Sequence, residues 1–183
     1  MKKMFLLVLC AALWVSCKKE TTADVTVVPA PTDSDAANPP PAEFADAKYV
    51  EIGKKYMADL AKGDTDAMMA IYADNANYYW NYGDSLVGKK AIADFWINRR
   101  TNVVETISFK NDIWLPIKVN EPQQKMEKKG NWLLAWYQVT VKYKRGKSMT
   151  QWMHMLYHFD DNDKVDEVDQ YLDRVPINAA MPK

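Results

Sequence analysis

The stretch Trp132-Leu133-Leu134-Ala135-Trp136-Tyr137-Gln138-Val139-Thr140-Val141-Lys142-Tyr143 decides the fold. Read at the strand period of two, it is apolar on both sides: Trp132, Leu134 and Trp136 against Leu133, Ala135, Tyr137, Val139 and Val141. A strand with two apolar faces belongs to a sheet that is covered twice. Helices can cover one face. A second copy of the chain is expected on the other, giving a homodimer through the sheet. Downstream, Met153, Met155, Tyr157 and Phe159 share one side of a strand, and the more polar side carries Trp152, His154, Leu156 and His158. In the last strand Val168, Gln170 and Leu172 face inward, with Gln170 as the polar member, while Glu167, Asp169 and Asp173 face outward. The β-branched and aromatic runs 103–115, 132–144, 148–160 and 165–174 together predict an antiparallel meander.

Upstream the period changes. Tyr49, Ile52, Tyr56 and Leu60 recur at helical spacing, and Gly63 supplies a stop. Asp64 can cap a second short helix carrying Met68, Ile71 and Tyr72. An extended aromatic run, Tyr78-Tyr79-Trp80-Asn81-Tyr82, precedes a third helix after Gly88, with Ile92, Phe95, Trp96 and Arg99 on one stripe. Helices first and strands afterwards predict an α+β fold, three N-terminal helices on a curved antiparallel sheet. The folded part is expected at 45–177, with a short tail at 178–183.

The N-terminus reads as an address. Lys2 and Lys3 precede an apolar run at 5–15, too short for the roughly 20 residues of a membrane-spanning helix. Trp14-Val15-Ser16-Cys17 resembles a bacterial lipobox, with Trp14 in the place usually held by Leu. The resemblance implies a signal peptide at 1–16 and diacylglycerol on Cys17. Cys10 would leave with the signal, so no thiol would remain for a disulfide, a zinc site or a nucleophile. Residues 17–44 hold five of the nine prolines and read as a tether. Lys18-Lys19-Glu20 resembles the charged tether starts of Bacteroidota lipoproteins, which implies an outer-membrane site in the cell envelope. The only expected contact with the membrane is the lipid. Charge supports this economy: 24 basic and 24 acidic residues cancel, which removes the electrostatic footprint that nucleic-acid binding requires.

Four segments in order carry a family resemblance: Leu60-Ala61-Lys62-Gly63-Asp64, Ile71-Tyr72-Ala73-Asp74-Asn75-Ala76, Gly88-Lys89-Lys90-Ala91-Ile92 and His158-Phe159-Asp160-Asp161-Asn162-Asp163-Lys164-Val165. Together they resemble the nuclear transport factor two-like superfamily, which includes SnoaL-like cyclases and ketosteroid isomerases. The resemblance implies a cone, with helices closing a curved sheet around a hydrophobic pocket. In the last segment Asp163 stands where the family typically turns with Gly. Isomerase chemistry needs a carboxylate base, and a Tyr with a protonated Asp to bind an oxyanion. By the family spacing these positions hold Trp80, Tyr56 and Met155. Trp accepts no proton and Met donates no strong hydrogen bond, so that mechanism is not expected.

The resemblance still implies a ligand site, formed by Tyr56, Trp80, Trp96, Met155, Gln170 and Leu172. Such walls with two hydrogen-bonding tips suit a small hydrophobic or aromatic molecule. The same large side chains can instead fill the cone, leaving a module that works through protein contacts. An enzymatic alternative, an isomerase, cyclase or hydratase, would use Tyr56 with Asp59 or Asp112 as its acid. No cofactor or metal is expected. His154 and His158, four apart on a strand, lie roughly 13 Å from each other, too far to share an ion, and read as surface or interface residues. Asp160-Asp161-Asn162-Asp163 lacks the glycine and distal Glu of a calcium loop and reads as a turn. The run 125–129 reads as a solvated loop.

Overall fold

The computed structural model describes residues 39–182. The signal, Cys17 and most of the tether lie outside the described residues.

Helix α1 (Lys48–Lys62) forms as its apolar stripe requires, burying Tyr49, Gly53, Tyr56, Met57 and Leu60. It ends where Gly63 takes the left-handed conformation (φ 81°), its N–H bonding back to the carbonyls of Asp59 and Leu60. Asp64 then caps helix α2 (Thr65–Met69), its carboxylate accepting from the Ala67 N–H at 3.0 Å. The second helix is shorter than its sequence pattern. Tyr72 opens strand β2 (Tyr72–Trp80), because it pairs with Val165, whose N–H also bonds the Ile71 carbonyl at 2.8 Å. Strand β3 (Ser85–Val87) folds back on β2, and helix α3 (Lys89–Asn98) follows Gly88 and runs into one wider turn at Arg99–Val103.

Strands β4 (Val104–Val119), β5 (Gly130–Tyr143), β6 (Ser148–Phe159) and β7 (Val165–Tyr171) form the expected antiparallel meander. Three features depart from the sequence reading. β2 joins β7 in parallel, so the seven-stranded sheet, in the order β1-β4-β5-β6-β7-β2-β3, is not wholly antiparallel. A short strand β1 (Ala42–Phe44), inside the segment read as tether, pairs with the end of β4. The last strand stops at Tyr171, and a fourth helix, α4 (Arg174–Ala180), follows it, capped by Asp173, whose carboxylate accepts from the Val175 N–H at 2.8 Å. β4 is interrupted by a register shift between Lys110 and Ile113, where Asn111 turns with φ 56°.

The face assignments hold. Leu133, Ala135, Tyr137, Val139, Met153, Met155, Tyr157, Val168 and Gln170 are buried on the inner face, against α1 and β2. The turn between β6 and β7 explains the missing family glycine. Asp163 sits at φ 57°, and its carboxylate accepts from Lys48 Nζ and the Tyr49 hydroxyl, each at 2.7 Å. Asp tolerates this conformation better than most side chains, and the two bonds tie the turn to α1.

α1 crosses the sheet at Gly53, where a Cβ would meet Leu133 Cδ2 at 2.5 Å and Trp114 Cζ3 at 2.6 Å. Gly53→Ala is therefore expected to destabilise the domain by about 1–2 kcal/mol, overpacking outweighing the gain in helix propensity. Chemical denaturation of the two proteins reads this directly; a stabilised variant would mean the helix can slide off the sheet.

Candidate functional site

The cone interior is built by residues the sequence singles out, and it is occupied by them. Tyr56 from α1 lies 2% exposed, with its ring edge-on to Tyr72 and Tyr157 at 6.0 and 5.8 Å. Tyr78 and Tyr137 complete a cluster of five buried phenols. The Tyr72 hydroxyl donates to Tyr56 at 3.3 Å. Gln170 joins the inner face to the rim: its Oε1 accepts from the Tyr78 hydroxyl at 2.8 Å and from Trp80 Nε1 at 2.7 Å, and its Nε2 lies 3.4 Å from Met153 Sδ. Met155 is fully buried beside them, 3.9 Å from the Tyr78 hydroxyl. At the rim, Phe95 stands between Trp80 and Trp96, with centroids 5.2 and 5.3 Å away, and Leu172 is partly buried against the same core.

The six pocket positions therefore belong to one cluster; the polar tips of Tyr56, Trp80 and Gln170 are bonded to neighbouring side chains, while Trp96 Nε1 is buried without a partner. Burial pushes the Tyr56 phenol up to about 12, offset in part by its bond to Tyr72. Burial raises Tyr72, Tyr78, Tyr137 and Tyr157 as well, so the interior holds its protons at physiological pH. Of the two acids that could serve Tyr56, Asp59 is held by Lys55 at 2.6 Å and Asp112 accepts from Trp114 Nε1 at 2.5 Å.

Open volume lies on the other side of the sheet. The loop at 120–129 folds over the outer face, and beneath it is a groove of about 830 Å³. Ile117, Trp132, Leu134 and Leu156 form its floor, Met126 and Gln123 border it from the loop, and Tyr79, Asp169 and Tyr171 border it from β2 and β7. Trp80 and Gln170 reach it too. Pairing registers place Asp169 beside Leu156 on one side and Tyr79 on the other, with Glu167 and Tyr171 two residues away on the same face. Burial pushes the Asp169 carboxyl up to about 6, the Glu167 charge adds to this, and Lys128 opposes it. Lys128 is itself committed, bonding Asp166 at 3.1 Å and Glu167 at 3.0 Å.

The histidines divide. His154 lies flat on Trp136, with centroids 4.4 Å apart, and its Nδ1 faces the Ala135 carbonyl at 3.1 Å. His158 is not at the surface: it is buried, with Nδ1 2.5 Å from Asp166 and Nε2 3.0 Å from the Lys129 carbonyl. Together with Lys128 it holds the base of the 120–129 loop in place. The run read as solvated is thus partly an anchored cover. Sequence alternation correctly puts Asp169 outward, but outward reads as solvent, and nothing in residues 120–129 signals that they fold back over the sheet. The Asp160 turn is closed by its own carboxylate, which accepts from the Asn162 and Lys164 N–H groups at 2.8 and 2.9 Å.

Comparison with known proteins agrees with this fold. A nuclear transport factor two-like protein from Burkholderia xenovorans superposes with a TM-score of 0.55 at 17% identity, covering 76% of this chain and all of that one. A protein proposed to be a polyketide cyclase, from Pseudomonas putida, gives 0.58 at 16%, covering 72% and 96%. An LEH-like epoxide hydrolase from M. tuberculosis gives 0.52 at 12%, covering 72% and 87%. No curated protein sequence matches the chain. The SnoaL-like domain family matches residues 54–168, more than half of the sequence. With that match over most of the folded residues, the chain belongs to the SnoaL-like domain family.

Proposed function

We propose that this is an envelope-anchored lipoprotein whose SnoaL-like domain binds a small hydrophobic or aromatic molecule without family-type catalysis, and that the binding site is the outer groove. One contrast carries the reading. The cone is packed with mutually bonded aromatic side chains, whereas the groove is roomy, mostly apolar and bordered by a few polar groups. About 830 Å³ lies within the roughly 300–1,000 Å³ of small-molecule sites. Catalysis at Tyr56 would need a substrate to reach a phenol that is enclosed and bonded to Tyr72.

A second copy of the chain covers the remainder of the outer face in this proposal. Beyond the groove, Ile113 and Trp152 are 57% and 52% exposed, flanking the Trp136–His154 stack. The patch is apolar and almost uncharged, so it can meet its own copy without repulsion. The competing reading, an accessory module for another envelope protein, draws on the same patch and on the filled cone.

Native mass spectrometry of the chain purified from its own host tests the proposal. A dimer carrying an extra mass that is lost on denaturation, and lost in a Leu134→Arg variant that blocks the groove floor, is expected. A ligand-free protein, or one whose ligand survives Leu134→Arg, would overturn the groove reading. Recovery of a different envelope protein with an empty groove would favour the accessory module.

The anchor has its own test. Cys17→Ser is expected to move the protein from the membrane fraction to the soluble fraction almost completely. Retention on membranes would refute lipid anchoring.

A further inference from the structure

We propose that the groove selects an organic cation, an ammonium group carried on an aliphatic or aromatic body, with Asp169 as its counter-charge. This deepens the groove reading above and rests on it. Asp169 is the residue that a merely apolar groove leaves unexplained. It sits partly buried between Leu156 and Tyr79, and among the described residues its carboxylate has no hydrogen-bond or ion-pair partner. The nearby ammonium, Lys128, is held by Asp166 and Glu167 instead. A carboxylate desolvated without a partner is costly, and a cationic ligand would remove that cost.

The surroundings favour a cation over other partners for the carboxylate. Tyr79 and Tyr171 flank Asp169 from adjoining strand positions, and Trp132 lies farther along the floor, so ring faces are available to an ammonium held near the carboxylate. The remaining charges at this place are Glu167 on β7 and Glu127 on the loop, with Lys128 paired to Asp166 and Glu167; β6 contributes Leu156 and β2 contributes Tyr79 and Trp80, none of them charged. An anion would meet two or three carboxylates and no uncommitted base. A neutral lipid would leave Asp169 unpaired. The apolar floor of Ile117, Leu134 and Leu156 takes the body of the ligand.

Charge linkage adds a pH signature. Because burial raises Asp169 to about 6, its charge, and with it the attraction for a cation of fixed charge, is lost as the pH falls through that value. Affinity is expected to drop about tenfold from pH 7.5 to pH 5.

The test uses the full chain with Cys17→Ser, which needs no detergent, and three probes of one length: octylammonium, 1-octanol and octanoate, followed by calorimetry and tryptophan fluorescence. Octylammonium is expected to bind at least tenfold tighter than octanol, with octanoate weakest. Asp169→Asn should bring octylammonium down to the level of octanol and erase the pH dependence. That variant keeps the side-chain shape and removes a poorly solvated charge, so its melting temperature should hold or rise. Tyr171→Leu, which keeps apolar area but removes a ring face, should cost the ammonium several-fold more than it costs octanol. Equal binding of octanol and octylammonium, or an Asp169→Asn variant that binds octylammonium unchanged, overturns the cation inference and leaves the groove standing. Failure of all three probes overturns both.

Discussion

Gln170→Ala is expected to lower the unfolding free energy by about 3 kcal/mol, one of the largest single-residue effects in the domain. The amide oxygen serves two donors at once, the Tyr78 hydroxyl and Trp80 Nε1. Trp80 Nε1 has no other acceptor among the described residues, and the fully buried Tyr78 hydroxyl has besides Gln170 only the Met155 sulfur at 3.9 Å, a weak acceptor. Leaving a buried donor unsatisfied costs about 1–3 kcal/mol, and here two lose their acceptor together. Urea denaturation measures the difference. Tyr157→Phe provides the control: the Tyr157 hydroxyl is buried without a partner, so its removal should change stability by less than about 0.5 kcal/mol, or raise it. A Gln170→Ala cost below about 1 kcal/mol would mean that water reaches the cone and replaces the lost acceptor, the behaviour of an open pocket.

The second large effect is alkaline. Tyr56, raised to about 12, and Tyr72, Tyr78, Tyr137 and Tyr157, all raised by burial, keep their protons in the folded state above the pH at which an unfolded chain releases them. The unfolded state then binds fewer protons, so stability falls as pH rises beyond the ordinary tyrosine value of about 10. Each such phenol contributes a slope of about 1.4 kcal/mol per pH unit, and five together approach 7. A domain with a typical margin of about 5–15 kcal/mol should therefore unfold cooperatively one to two pH units above 10. Phenolate absorbance should rise steeply there, in step with loss of far-UV circular dichroism. Gradual titration of all ten tyrosines with the fold intact would contradict a packed interior.

Both effects come from a feature the sequence half disclosed. The alternation of β5, β6 and β7 was legible residue by residue, because burial on a pleated sheet enforces a period of two. Gly63, Asp64 and Gly88 marked helix boundaries correctly, since each answers a local backbone demand. The convergence of Tyr56, Met155 and Gln170 was legible through family spacing. What spacing could not tell is whether converging side chains line a space or fill it. That depends on side-chain directions, and here the phenols point at one another. The parallel β2–β7 pair and the departure of Tyr72 from its helix are illegible in the sequence for a related reason: both depend on pairing with β7, where Tyr72 meets Val165, distant in sequence. The groove was hidden twice, by an outward-facing Asp169 that looked solvated and by a polar loop with no pattern of its own. A strand partner for β4 inside a proline-rich segment was equally illegible, three residues being too few for periodicity.

The interruption of β4 has a consequence for how copies of this protein coexist. Of its sixteen residues, β1 pairs with Ile117, Lys118 and Val119 and the Ala45 N–H bonds the Pro116 carbonyl, so among the described residues most of the long edge of the sheet has no strand beside it. At the opposite edge β3 is three residues long. A straight edge of that length would invite strands from neighbouring molecules and template fibrils. The kink at Asn111, with exposed Lys110 and Asp112 on either side, breaks the edge into two short, misaligned pieces, neither a good template for a third strand. Crowded copies are thereby steered away from open-ended polymerisation along the sheet.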